Sequence, residues 1–240
     1  FSYVPASATT GATFNWSRAA VAGISNAAAS GTDNPNETLV NTTALPVNVT
    51  YVYTVALNGC SYTQNVVVTV NPTPSLSSTL TPTAICNNAT FSYGPTSATS
   101  GATFAWSRSA VAGISNAAVN GTGNPNEVLE NTTSQPISVV YTFTTTANGC
   151  SNNQNVTVVV YPTPELSSTL TPASICNNTV FSYVPTSATT GAVFNWTRAA
   201  VVGISNTAGS GAGNPNETLV NTTGAPVDVT YVYTVSANGC

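Results

Sequence analysis

Phe1-Ser2-Tyr3 returns as Phe91-Ser92-Tyr93 and again as Phe181-Ser182-Tyr183. Asn58-Gly59-Cys60 returns as Asn148-Gly149-Cys150 and as Asn238-Gly239-Cys240. The interval is 90 residues each time, without gaps, and residues 1–60 match residues 181–240 at 47 of 60 positions. So close a period in a chain of 240 residues means that a complete structural unit has been copied, and the fold question reduces to what ninety residues build.

Pro72-Thr73-Pro74 and Pro162-Thr163-Pro164 are stiff, extended stretches of the kind that make semi-rigid linkers. Cutting there gives residues 1–74, a unit short at its N-terminal side, residues 75–164, a complete unit, and residues 165–240, a unit short at its C-terminal side. On this reading the chain is a window on a longer array.

Each unit reads as all-β. Val47, Val49, Tyr51, Tyr53 and Val55 alternate with Asn48, Thr50, Val52 and Thr54, and the pattern returns at Ile137–Phe143 and Val227–Val235. Period two with β-branched and aromatic residues predicts half-buried strands. Val66, Val68 and Val70, matched by Val156, Val158 and Val160, predict the next strand, and the intervening Asn-Gly marks a hairpin. Further strands are expected at Phe91–Tyr93, at Phe104–Trp106 and near Leu76–Leu80, with weaker candidates at Val111–Ser115 and Val128–Thr132. The Ala-rich stretch from Ala19 to Ala29 reads as loop or short strand. About seven strands in some ninety residues is the size and count of an immunoglobulin-like β-sandwich.

Composition excludes much of the functional range. Charged residues are 4% of the chain, against roughly 25% in ordinary soluble domains. Three well-separated arginines and no lysine give no basic patch, which argues against nucleic-acid binding. Without histidine the commonest general base and metal ligand is missing. One repeated carboxylate per unit cannot supply both an acid and a base for glycoside hydrolysis. We therefore expect no enzymatic activity, no catalytic residue, no cofactor and no metal. Calcium wants six to eight oxygens and usually several carboxylates; the loop from Gly121 to Glu127 offers one, and Asp33 adds a second only in the first unit. No apolar run approaches the ~18 residues of a membrane helix, so no membrane insertion is expected.

The cysteines lie at positions 60, 86, 150, 176 and 240. The period favours bridges within each unit, Cys86–Cys150 and Cys176–Cys240, with Cys60 paired to a residue outside the window. Bridges across the linkers, Cys60–Cys86 and Cys150–Cys176, and free thiols are the alternatives. Disulfides of either kind imply an oxidising compartment.

Trp16, Trp106 and Trp196 each precede an arginine by two residues on one strand face. They are expected as core anchors, with an exposed Trp-Arg ligand platform as the alternative. Arg18, Arg108 and Arg198 are the only repeated cations, and Glu37, Glu127 and Glu217, in the motif Asn-Pro-Asn-Glu, the only repeated anions. Three structural ion pairs, Arg18–Glu37, Arg108–Glu127 and Arg198–Glu217, are expected to pin that loop to the Trp strand. Asn-x-Ser/Thr triplets at Asn15, Asn36, Asn41, Asn88, Asn131 and Asn216 are candidate glycan acceptors in a eukaryotic host, though a chain this rich in Asn and Thr yields many by composition.

Ile-Cys-Asn-Asn, then Phe-Ser-Tyr, Phe-x-Trp, Tyr-x-Tyr-Thr-Val-x-x-Asn-Gly-Cys and a closing Val-x-Val-x-Pro-Thr-Pro together resemble the PKD-like and immunoglobulin-like tandem repeats of Bacteroidetes cell-surface proteins, and the resemblance covers the whole chain. It implies export by the type IX secretion system, a place on the bacterial cell surface, and company with gliding-motility-associated adhesins. Where PKD domains carry Trp-Asp-Phe-Gly-Asp-Gly, this chain has Trp16-Ser17-Arg18 and Trp106-Ser107-Arg108. The expected role is a structural segment of an extracellular fibre or adhesin stalk that supplies reach and multivalency. Its expected partners are neighbouring repeats of the same chain, lateral copies in a filament, or a glycan or surface ligand. An adhesive module in each repeat and a self-assembling filament subunit are the competing roles.

Overall fold

The computed structural model describes residues 1–240 and contains strands as its only regular elements. In the first repeat these are β1 (Thr13–Arg18), β2 (Ala29–Thr32), β3 (Val47–Leu57) and β4 (Cys60–Val70). The second has β5 (Ile85–Cys86), β6 (Ala89–Ser92), β7 (Thr103–Arg108), β8 (Val119–Thr122), β9 (Asn126–Leu129), β10 (Ile137–Ala147) and β11 (Cys150–Tyr161). The third has β12 (Thr179–Phe181), β13 (Val193–Arg198), β14 (Gly209–Ala212), β15 (Glu217–Leu219) and β16 (Tyr231–Ser236).

The second repeat shows the design in full. The alternation of Val139, Tyr141 and Phe143 turns those three side chains inward to full burial, and Val156, Val158 and Val160 of β11 meet them. β10 and β11 pair antiparallel from Ile137 opposite Val160 to Ala147 opposite Cys150. The turn closes because Asn148 and Gly149 both adopt positive φ, 51° and 77°, as a two-residue hairpin requires. This hairpin is the centre of a sheet in the order β5-β11-β10-β7-β8. Facing it, β6 and β9 form a second small sheet, and its Phe91 ring lies 4.9 Å from that of Tyr141. Two layers thus close over one apolar cluster, which makes the fold a β-sandwich.

Some expected strands take other forms. Leu76 makes only an isolated bridge to Ser97, and the backbone N–H of Thr157 donates to the carbonyl of Leu80 at 2.9 Å. Pro82, which has no N–H to give a ladder, interrupts this edge before β5. Val111–Ser115 is a turn from which Ile114 bridges to Asn131, and the Ala-rich stretch is loop until β2 begins at Ala29.

Residues 76–86 run the length of the unit beside β11. The Leu76 N–H donates to Gln154 Oε1 at 2.6 Å, Leu80 accepts from Thr157, and Ile85 and Cys86 pair in parallel with Val160 and Tyr161. Cys86 therefore sits at the trailing end of β11, while Cys150 opens the same strand at the leading end. Eleven strand steps separate those ends by roughly 36 Å, and a disulfide needs Cα atoms within about 7 Å. This overturns the expected Cys86–Cys150 bridge; the expected Cys176–Cys240 bridge is overturned too, because Cys240 is bonded elsewhere and Cys176 is free. The bond present joins Cys86 to Cys240 with a Cα separation of 5.6 Å. Cys60, Cys150 and Cys176 are free thiols, so neither cross-linker alternative forms either.

Candidate functional site: a buried clamp in each repeat and a clasped joint between repeats

On β7, Phe104, Trp106 and Arg108 point to one face, and the last two are buried. The indole of Trp106 lies against the backbone of β8 where Gly121 is its cross-strand partner. A Cβ at Gly121 would sit 2.7 Å from Trp106 Cζ2, so only glycine admits the ring there. Trp16 on Gly31 and Trp196 on Gly211 repeat the arrangement. In all three copies the indole Nε1 is buried without a hydrogen-bond partner, a cost carried by the apolar contact of the ring.

The arginine two residues on is buried to 2% exposure in every repeat, and all three of its guanidinium nitrogens donate hydrogen bonds. Arg108 Nε donates to Glu127 Oε2 at 3.1 Å and Nη2 to Glu127 Oε1 at 2.9 Å, a bidentate pair. Its remaining donors reach the carbonyls of Ser109, Asn116 and Ala117. Arg18 with Glu37 and Arg198 with Glu217 hold the same geometry. A third member went unread in the sequence: Tyr141 OH donates to Glu127 Oε2 at 2.6 Å, as Tyr51 does to Glu37 and Tyr231 to Glu217 at 2.7 Å. Its only sequence signal was the 90-residue return of a tyrosine fourteen positions after each glutamate.

Electrostatics follow from that packing. Hydrogen bonding from Arg18 holds the Glu37 carboxyl below the usual carboxylate range, and Arg198 does the same to Glu217. At Glu127 burial pushes upward, but hydrogen bonds from Arg108 and Tyr141 together with the arginine charge outweigh it, so this carboxyl too lies low. Burial first, and the neighbouring carboxylate second, push Tyr51, Tyr141 and Tyr231 upward. A carboxylate locked in its ionised form by a buried arginine is poorly suited to move protons, and three hydrogen bonds already engage its two oxygens, which makes it a poor ligand for the calcium alternative. Burial of Trp106 and Arg108 equally removes the exposed Trp-Arg platform.

Asn131 was a candidate glycan acceptor, and the structure gives it another task. It is 3% exposed, and its Nδ2 donates to the carbonyls of Gln135 and Val160 while its Oδ1 accepts from the Thr133 N–H. Asn41 makes the matching bonds to Leu45 and Val70, and Asn221 bonds to Ala225. A glycan on Nδ2 of Asn131 would break this knot. Asn15, Asn36, Asn88 and Asn216 are exposed.

The repeats meet at two joints. At the first, Asn71 Nδ2 donates to the carbonyl of Asn148 in the β10–β11 turn at 2.9 Å. At the second, Gln135 Nε2 donates to the Ala188 carbonyl, Gln135 Oε1 accepts from Thr190 Oγ1, and the Cys86–Cys240 bond crosses the gap. A polar cleft opens here, lined by Asn87, Glu130, Thr163, Glu165 and Ser187 among others.

Sandwiches in series, each carrying its own buried clamp and joined end to end, define a serial β-sandwich protein. Residues 3–74 and 83–164 match the PKD-like domain, and the chain belongs to that family. No curated protein matches the chain.

Proposed function

We propose that the chain is a structural segment of a long extracellular surface fibre or adhesin stalk, in which near-identical units supply reach and multivalency for surface adhesion or gliding movement. The observation that carries this reading is the polarity of the unit. Its longest strands run from one joint to the other, so each added unit extends the chain by roughly 40 Å, the span of a twelve-residue strand. Membership of a family whose modules are commonly extracellular and structural or adhesive supports it, as does a disulfide, which persists in oxidising surroundings. No helix is long and apolar enough to cross a membrane. The resemblance to Bacteroidetes repeats supports a bacterial cell surface as the site of action.

Small-angle scattering on the 240-residue chain tests the reading. A rod of three units has a radius of gyration of roughly 35 Å, against about 18 Å for a compact protein of this length. The compact value would end the stalk reading.

A further inference from the structure

We infer that every joint of such an array carries the clasp seen between Cys86 and Cys240, the Ile-Cys thiol of one unit bonded to the Asn-Gly-Cys hairpin of the next, and that Cys176 is the acceptor for the hairpin of a following unit. The inference rests on the serial reading above and says how the series is held. The first joint shows the same placement as the second. Asn71 stands one period before Tyr161, the residue whose register partner is Cys86. It touches Asn148, two residues from Cys150, so the Asn-Gly-Cys hairpin of the second repeat rests on the trailing end of the first. In the third repeat the same Asn-Gly-Cys turn supplies Cys240 to the trailing end of the second. Cys150 thus bears to the first joint the relation that Cys240 bears to the second.

Forming each clasp removes two thiol protons and two electrons. A thiolate attacks a disulfide oxidant such as glutathione disulfide, and the second thiolate then displaces the oxidant's remaining half, which leaves as a thiol. One new S–S bond forms and two oxidant thiols are released.

The spacing gives the clasp a mechanical meaning. From Cys150 the chain climbs β11, crosses the linker and ascends the third repeat to Cys176, covering two units in 26 residues. Pulled straight, 26 residues span roughly 90 Å, little more than two folded units of about 40 Å each. With every joint clasped, the shortest covalent path through the array is already nearly taut. Unfolding a unit then adds almost no length until a disulfide breaks.

Disulfide mapping of the 240-residue chain oxidised with glutathione disulfide tests this, together with the same chain preceded by a copy of residues 75–90. The first is expected to contain Cys86–Cys240, with Cys60, Cys150 and Cys176 open to a maleimide. The second is expected to gain one bond, from the added cysteine to Cys150. A bond from the added cysteine to Cys60, or Cys86–Cys150 or Cys176–Cys240 in either chain, overturns the clasp. Stretching the original chain from end to end adds a second readout. The oxidised form should pay out only the residues outside the loop, roughly 300 Å, and the reduced form nearly threefold more; equal lengths would also overturn it. A rod-like scattering profile with the wrong bridges would sink the clasp and leave the stalk, whereas a compact profile would sink the stalk itself.

Discussion

Strands β4 and β11 have nearly the same sequence pattern and the same hairpin partner, yet their surroundings differ. In β11, Val156, Val158 and Val160 are fully buried, while Val66, Val68 and Val70 of β4 are only partly so. The difference is residues 76–90, which flank β11, bring Leu76 and Ile85 to its core and lead into Phe91 and Tyr93; beside β4 only Phe1 and Tyr3, the counterparts of those two rings, are present. The third repeat shows the complementary case. β16 has no hairpin partner among residues 1–240, and Tyr231 and Val229 stay half-exposed where Tyr141 and Val139 are sealed. The Arg–Glu–Tyr clamp, by contrast, is the same in all three repeats. The clamp is thus specified by the middle strands of the unit, and the dry core by the meeting of its first and last segments.

Three sets of substitutions sharpen or break that contrast, read by hydrogen exchange resolved to each repeat. The largest effect is expected from Phe91→Ala, about 4 kcal/mol lost from the second repeat; Phe1→Ala, on a half-buried ring, should cost the first repeat less than half as much. Equal losses would mean that the two cores are alike in solution. Next comes Glu127→Gln, which strands a buried guanidinium and should cost about 3 kcal/mol, with Glu37→Gln and Glu217→Gln close behind. A clamp that mattered only within the complete core would show instead as a near-zero effect at Glu37 and Glu217. Smallest is Tyr141→Phe, about 1.5 kcal/mol for a hydrogen bond to a charged acceptor.

Acid gives the clamp its own signature. The three carboxyls titrate lower folded than unfolded, so the unfolded chain takes up protons first. Their contribution is complete above the unfolded value of about 4.3 and is lost as pH falls through the folded value. Melting curves from pH 7 to pH 2 should fall steeply only below about pH 4.3, and Glu127→Gln should flatten the fall for the second repeat. A midpoint that declines evenly from pH 7 would count against the clamp.

Much of this was legible in the sequence because it is local. Alternation at Val139, Tyr141 and Phe143 gave a strand, Asn148-Gly149 gave its turn, and the scarcity of charge made Arg108 and Glu127 partners. Tyr141 escaped notice because its aromatic ring already had a role in the alternation, and nothing local showed that its hydroxyl reaches a carboxylate. Asn131 read as a surface triplet because its partners, Gln135 and Val160, are named only by the folded edge. The cysteines were misread for a more basic reason. A spacing of 64 residues inside one unit looks intimate, but Cys86 and Cys150 occupy opposite ends of a strand, and sequence proximity says nothing of which end a residue reaches. The hint was available in the order of events: the hairpin cysteine begins the last strand, and the linker ends it.

The burial of Arg18, Arg108 and Arg198 has one more consequence. The chain has no lysine and no histidine, so the folded exterior presents no cationic side chain anywhere. A protease that cuts after basic residues finds its three sites only when a sandwich opens, which makes trypsin a reporter of opening, one cut per repeat. To an anionic polysaccharide or another cell's acidic coat the same exterior offers amides and hydroxyls, but no cationic side chain to grip.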